Sequence, residues 1–252
     1  MKELAALLRL DAVPAAKWEL EPLVPQGTGS QSLASGPAVL GFAGGGALPG
    51  HEAQPLRLGP VLAAADARLD NAEALRASLG LPDRASDPAL VAAALSRWGT
   101  LAPTYLEGDF SFVAWNGSEL LAACDRYGVK PLYYTTAEGK LLLSSSLRAL
   151  QACLQRDFDR TYLLEFLAAR MPVTRRTPYL GTSRLLPGET LVGSARGVTI
   201  QRYHEPAARE EAMTLAEAAE GTRELLGEAV RLRLPARGPL YHQLSGGMDS
   251  TS

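Results

Sequence analysis

Hydrophobic positions follow a two-residue rhythm through most of the chain and a helical one near its end. Residues 39–43 and 61–65 are continuous apolar runs, predicted as buried strands, with Gly44-Gly45-Gly46 as a turn or loop after the first. In residues 109–115, Phe110, Phe112 and Ala114 alternate with Ser111, Val113 and Trp115. Asn116-Gly117 then signals a hairpin, and residues 120–125 return as its partner strand. Residues 132–134 and 141–143 pair across Glu138-Gly139, and residues 185–192 and 198–203 bracket a further hairpin. A short helix is predicted over 71–79, capped by Asn71 and ended by Gly80 and Pro82. A second is opened by Asp87-Pro88, runs to Trp98 and stops at Gly99. Residues 161–169 show a helical apolar face. Composition shifts at Glu205-Pro206. Beyond it Leu215, Ala218, Ala219, Leu225, Leu226, Ala229 and Val230 fall on one stripe. The pattern predicts a strand-rich domain over 1–204, a helical connection over 205–236, and the first strand of another domain over 237–252.

Composition narrows the function classes. With 46% hydrophobic and 21% charged residues, a sizeable core is expected. The net charge of −2, with acids and bases interspersed, argues against a nucleic-acid surface or a polybasic membrane anchor. No apolar stretch approaches the ~20 residues of a membrane span. Met1-Lys2-Glu3-Leu4 lacks the pattern of a signal peptide, and two cysteines are too few for a disulfide framework, so the cytoplasm is the expected compartment. Cys124 is expected in a buried strand and Cys153 in or near a helix, both inert. His51, His204 and His242 show no metal-ligand spacing. Trp18, Trp98 and Trp115 are read as core, with an edge position near the Asn116-Gly117 turn open to Trp115. Arg175-Arg176 reads as a solvated loop; a place beside an acidic substrate stays open.

The strongest chemical signal lies in the last nine residues. An apolar run ending at Leu244 leads into Ser245-Gly246-Gly247-Met248-Asp249-Ser250, and only Thr251 and Ser252 follow. Two glycines remove the β-carbons that would block close approach, so consecutive N–H groups can face phosphate oxygens. A helix starting near Ser250 would add its positive end, and Ser245 and Ser250 can donate hydroxyl hydrogen bonds. Asp249 would repel phosphate unless it holds Mg²⁺. The expected nucleotide-binding set is therefore Leu244, Ser245, Gly246, Gly247, Asp249 and Ser250, with Asp249 as metal ligand and ATP with Mg²⁺ as cofactors.

Upstream, Gly108-Asp109-Phe110-Ser111-Phe112 and Asp125-Arg126-Tyr127-Gly128-Val129-Lys130-Pro131-Leu132-Tyr133-Tyr134 resemble the amino-terminal domain of glutamine-dependent asparagine synthetase. So do residues 143–150, Leu185-Leu186-Pro187-Gly188 and Arg202-Tyr203. The resemblance implies an α+β fold: a four-layer αββα Ntn-hydrolase-like domain, of the class II glutamine amidotransferase type, followed by the first strand and pyrophosphate loop of an α/β ATP pyrophosphatase domain. It also implies an amino-terminal cysteine that hydrolyses glutamine, with the free α-amine as base. Here Lys2 stands at the cysteine position. The family's Asn-Gly-Glu is replaced by Asp66-Ala67-Arg68, and a carboxylate at 66 cannot donate to an oxyanion. Tyr105 stands where an aspartate would receive the glutamine amine, and the expected arginine falls near Ala43. Asp125, Arg126 and Lys130 are read as structural and locally paired.

Residues 66–71, Asp-Ala-Arg-Leu-Asp-Asn, are similar to the cysteine-less branch of the family, the β-lactam and lasso-peptide macrolactam synthetases. The leading expectation is an ATP-dependent, AMP-forming amide ligase without glutaminase activity. A relative of asparagine synthetase using ammonia or glutamine, and a non-catalytic scaffold or partner subunit, remain open. The expected partners are ATP and a carboxylate/amine substrate, with a homo-oligomer or a separate synthetase subunit left open. Because the family's adenylate site also draws on residues far downstream, the 252 residues alone are expected to lack ligase activity.

Overall fold

The computed structural model describes residues 2–24, 29–44, 53–170, 174–207, 212–234, 241 and 245–248. These divide into two compact units, Met1–Pro206 and Ala207–Ser252. In chain order the first unit contains β1 (Glu3–Arg9), β2 (Gln31–Ser35), β3 (Ala38–Ala43), β4 (Leu56–Leu58) and β5 (Val61–Leu69). Helices α1 (Ala72–Leu79), α2 (Asp87–Trp98) and α3 (Ala102–Tyr105) follow, then strands β6 (Gly108–Trp115), β7 (Leu120–Cys124), β8 (Tyr133–Ala137) and β9 (Lys140–Ser144). The unit is completed by α4 (Leu147–Leu154), α5 (Arg160–Leu167), β10 (Ser183–Arg184), β11 (Glu189–Ser194) and β12 (Gly197–Arg202).

Two antiparallel sheets of six strands form the centre, ordered β10-β8-β9-β1-β3-β2 and β12-β11-β7-β6-β5-β4. Their inner faces meet in a core that includes Leu4, Ala6, Leu8, Leu40, Ala64, Val113, Ala122 and Leu191. On the outer face of the second sheet, Leu75 of α1 and Leu90, Val91 and Leu95 of α2 pack against Phe110, Phe112 and Ala123. On the outer face of the first, Leu20 and Leu23 from two 3-10 turns and Leu150 of α4 cover Ala5, Leu7 and Val39. This is the helix–sheet–sheet–helix, α+β arrangement that the resemblance implies. Strands buried on both faces read as apolar runs rather than clean alternation, which is why residues 39–43 and 61–65 look continuous.

The predicted hairpins are present, each with its register. Central strand β1 is not marked by the sequence pattern. Its Ala- and Leu-rich composition favours helix in isolation, and only pairing with β3 and β9 makes it a strand. Helix α2 starts after Ser86, whose hydroxyl accepts from Ala89 N. At α1, Asn71 does not cap with its side chain. Its amide instead bridges to the segment before β6, donating to Tyr105 O at 2.9 Å and accepting from Glu107 N at 3.1 Å. Trp98 and Trp115 belong to the packed layers, Trp115 just before the 116–119 turn. Trp18 does not: it is 68% exposed, lying in the 3-10 turn Lys17–Glu19, none of whose residues is buried, while Leu20 and Leu23 just after it take the inward positions.

In the second unit, α6 (Leu215–Arg233) begins with a reciprocal cap between Thr214 and Glu217. Its apolar stripe is not a core face here, since none of its residues is buried. No described helix is long and apolar enough to cross a membrane.

Candidate functional site

Two of the residues that the resemblance sets at glutaminase positions, Lys2 and Asp66, meet at one end of the sandwich, where β1 begins. Lys2 precedes β1 in the first sheet, and Asp66 lies on β5 in the second. Because Ala64 points into the core between the sheets, Asp66, two positions on, faces the same way. Lys2 Nζ lies 3.8 Å from Asp66 Oδ1, and Lys130 Nζ lies 2.8 Å from Asp66 Oδ2. One carboxylate thus takes two ammonium groups from two other parts of the chain. An oxyanion donor cannot be made from it, since a carboxylate carries no proton to donate.

Asp66 is held in place from behind. The buried Gln54 amide donates to Ala65 O at 2.9 Å and accepts from Ala65 N at 2.7 Å, continuing the edge pairing of β5 beyond the short β4. Arg68 turns away from Asp66 to Asp70 at 2.7 Å and Asp109 at 3.4 Å. Ala67 brings no polar side chain to the site. Gly108 has φ +132, and a β-carbon there would meet the carbonyl oxygen of Arg68, so the β5–β6 approach depends on glycine. Tyr105 stacks on Trp98 with centroids 4.3 Å apart, an arrangement without a carboxylate for an amine. Ala43 is buried in β3 opposite Glu3, and no guanidinium arises there.

The Asp-Arg-Tyr-Gly-Val-Lys run has three separate roles. Asp125 is fully buried and organises its own turn: Oδ1 accepts from Tyr127 N at 2.9 Å and Val129 N at 3.1 Å, and Oδ2 from Lys130 N at 2.9 Å. Arg126 reaches out instead, donating to Thr104 O at 3.3 Å and lying 3.8 Å from Glu107. Lys130 reaches across to Asp66. Local pairing therefore describes Asp125 only. The difference is one of length: a long lysine stem spans between layers, whereas an aspartate reaches only its own turn.

Neither described cysteine is disposed to act as a nucleophile. Cys124 lies on the inner face of β7, with Sγ donating to Leu186 O at 2.9 Å, and burial raises its thiol to about 12. Cys153, on α4, is also raised by burial. Arg175 is not a solvated loop residue: it forms a bidentate pair with buried Glu189, one arm at 2.7 Å. Arg176 lies 3.7 Å from Glu165. His51 and His242 lie outside the described residues. Among the described residues no cluster of His, Cys, Asp or Glu could hold a metal ion.

Of the terminal loop, Ser245, Gly246, Gly247 and Met248 are described, while Leu244, Asp249 and Ser250 lie outside. Gly246 has φ +78, and Gly247 N donates to Ser245 Oγ at 3.4 Å.

Comparison with known proteins places this geometry. The model of the glutamine amidotransferase domain family matches residues 50–204. The chain belongs to that family. Over 181 residues it is 33% identical to Amidase chyE of Penicillium rubens, covering 66% of this chain and 26% of that protein. Asparagine synthetase [glutamine-hydrolyzing] 3 of Bacillus subtilis is 29% identical over 175 residues, covering 68% and 28%. The chain therefore spans about a quarter of the length of the curated relatives it matches. Among solved structures, glutamine phosphoribosylpyrophosphate amidotransferase from B. subtilis, complexed with ADP and GMP, superposes with a TM-score of 0.55 at 15% identity. That match covers 82% of this chain and 50% of the other, and supports the Ntn-type amidotransferase fold.

Proposed function

We propose that this chain is the glutaminase-like portion of an ATP-dependent, AMP-forming amide ligase of the asparagine synthetase family, and that its own glutaminase centre is silent. The observation that carries the second half is the Lys2–Asp66–Lys130 cluster. A glutaminase of this type needs a thiolate and a hydrogen-bond donor facing the developing oxyanion. The resemblance sets an ammonium, Lys2, and an ion-paired carboxylate, Asp66, at those positions. The amide nitrogen would then come from an amine of the substrate or from ammonia. In the ligase step ATP would supply the adenylyl group that activates a carboxylate. Ser245, Gly246 and Gly247, with Asp249 and Ser250 from the sequence, would hold pyrophosphate and Mg²⁺.

Incubating the purified chain with glutamine tests the silent centre: glutamate release at background supports the reading, and release well above a denatured control defeats it. For the ligase, the coding sequence after the Ser252 codon should continue in frame into a synthetase domain. The corresponding full protein should catalyse ATP–pyrophosphate exchange that Asp249→Ala abolishes. Exchange that depends on aspartate would favour asparagine synthetase over an intramolecular ligase; exchange with no dependence on Asp249 would reject the loop as the nucleotide site. The names of the relatives, an amidase and a glutamine-hydrolysing asparagine synthetase, support a family role in amide chemistry.

A further inference from the structure

Antiparallel register aligns Asp66 with Ser111, and Ser111 with Cys124, across β5, β6 and β7. Thr190 pairs with Ala123, so Glu189 continues the row one position on. All four side chains face inward, because Ala64, Val113, Ala122 and Leu191, two positions from each, line the core between the sheets. A polar row thus crosses the end of an otherwise apolar interior. Its middle members, Ser111 and Cys124, are buried at 1% and 0% exposure.

Both ends of the row are clamped by cations. At one end Asp66 takes Lys2 and Lys130. At the other, Glu189 takes Arg175 in bidentate fashion and lies 3.8 Å from Arg202, while its Oε2 also accepts from Leu186 N at 3.0 Å. Two backbone segments close over Cys124 between these clamps. One is the 125–131 turn that carries Lys130; the other is the 185–188 loop, whose Leu186 carbonyl accepts from Cys124 Sγ. The segments are tied together by Leu185 N to Leu132 O at 2.8 Å and Gly188 N to Asp125 O at 3.0 Å.

We infer that these two segments form a gate over the buried end of the sandwich, latched by the Asp66 and Glu189 ion clusters. The end of the sandwich that holds Lys2 and Asp66 is then closed by charge pairing. Opening the gate exposes Ser111 and Cys124 without unfolding the sheets. Charge pairs at a part-exposed rim weaken with salt, whereas the apolar layers beneath do not. Opening is therefore a local, salt-sensitive event, separable from global unfolding. This inference does not depend on the ligase reading, since it concerns only the first unit.

Cys124 is its own reporter. In a Cys153→Ser background, labelling by an aromatic disulfide reagent is followed at pH 8 over a range of urea below the unfolding transition. A gate gives a labelling rate that is nearly flat in low urea. Asp66→Asn and Lys130→Gln should each raise that plateau roughly five- to tenfold, the effect of losing a part-buried pair. Glu189→Gln should act in the same direction, and Arg231→Gln on α6 should leave the rate unchanged. Raising KCl from low concentration to about 1 M should speed labelling of the parent protein more than that of Asp66→Asn. A plateau unmoved by Asp66→Asn and Lys130→Gln would overturn the gate. So would a labelling rate that tracks global stability across all urea concentrations, because Cys124 would then be reached only through unfolding. If Glu189→Gln fails to fold, the Asp66 and Lys130 variants and the salt series still decide.

Discussion

Asp125 shows how much one side chain can specify. It is fully buried and satisfies three backbone N–H groups of its own turn, so Asp125→Ala would strand all three and its expected cost is about 2–4 kcal/mol in urea unfolding. A loss below ~1 kcal/mol would mean the turn finds other partners. Its structural role was legible from the Asp-Arg-Tyr-Gly run, because an aspartate before a glycine-containing turn commonly accepts from the following amides. Lys130's partner was not legible, since nothing in the spacing of residues 66 and 130 announces their contact. Glu138 is a second local case. It carries φ +52 beside Gly139 at +71 in the β8–β9 turn, where asparagine is better suited than glutamate. Glu138→Asn should raise stability by about 0.5–1 kcal/mol, measured as a shift in the unfolding midpoint.

Helices and hairpins divide by where their information comes from. The α2 boundaries follow from Ser86, Pro88 and Gly99, and the structure places the helix at Asp87–Trp98. Strand β1 carries no such signal, because its apolar residues acquire strand geometry only between β3 and β9. The 3-10 turn preceding Leu20 is pinned to this sheet by Glu19, whose side chain is 4% exposed and lies 2.9 Å from Lys140 and 3.6 Å from Arg9. The Ala16 N–H foremost, with Lys140 next, holds the Glu19 carboxyl below its ordinary value of 4.5. Its folded value being depressed, the associated stability is present above the unfolded value and is lost as pH falls through the folded one. Unfolding midpoints measured downward from pH 5 should therefore drop less steeply in Glu19→Gln than in the parent; equal slopes would exclude this contribution. Helices α5 and α6 show the limit of periodicity: each has an apolar face, yet neither has a buried residue. An apolar stripe predicts a helix, but burial depends on what packs against it.

The first unit brings residues far apart in the chain to one place. Lys2, Asp66 and Lys130 come together only because β1, β5 and the 125–131 turn meet at the same end of two stacked sheets. On the proposed reading, a cysteine placed at position 2 alone should not confer glutamine hydrolysis. Lys2→Cys should release glutamate at the background rate, because Asp66 still accepts from Lys130 and cannot donate to an oxyanion. Measurable turnover by that single variant would show that another group supplies the donor.

Local chemistry, carried by short-range order, was determined by the sequence alone: paired strands with their turns, helix stops at glycine, the Asp125 turn, and the family resemblance in residues 108–134. The tertiary structure decided the rest. It made β1 a strand, exposed Trp18, drew Arg175 onto Glu189 and joined Lys2, Asp66 and Lys130. The physical reason is that these outcomes depend on packing and on pairing between residues far apart in the chain. Neither local propensity nor spacing encodes which face is covered or which opposite charge a long side chain will reach.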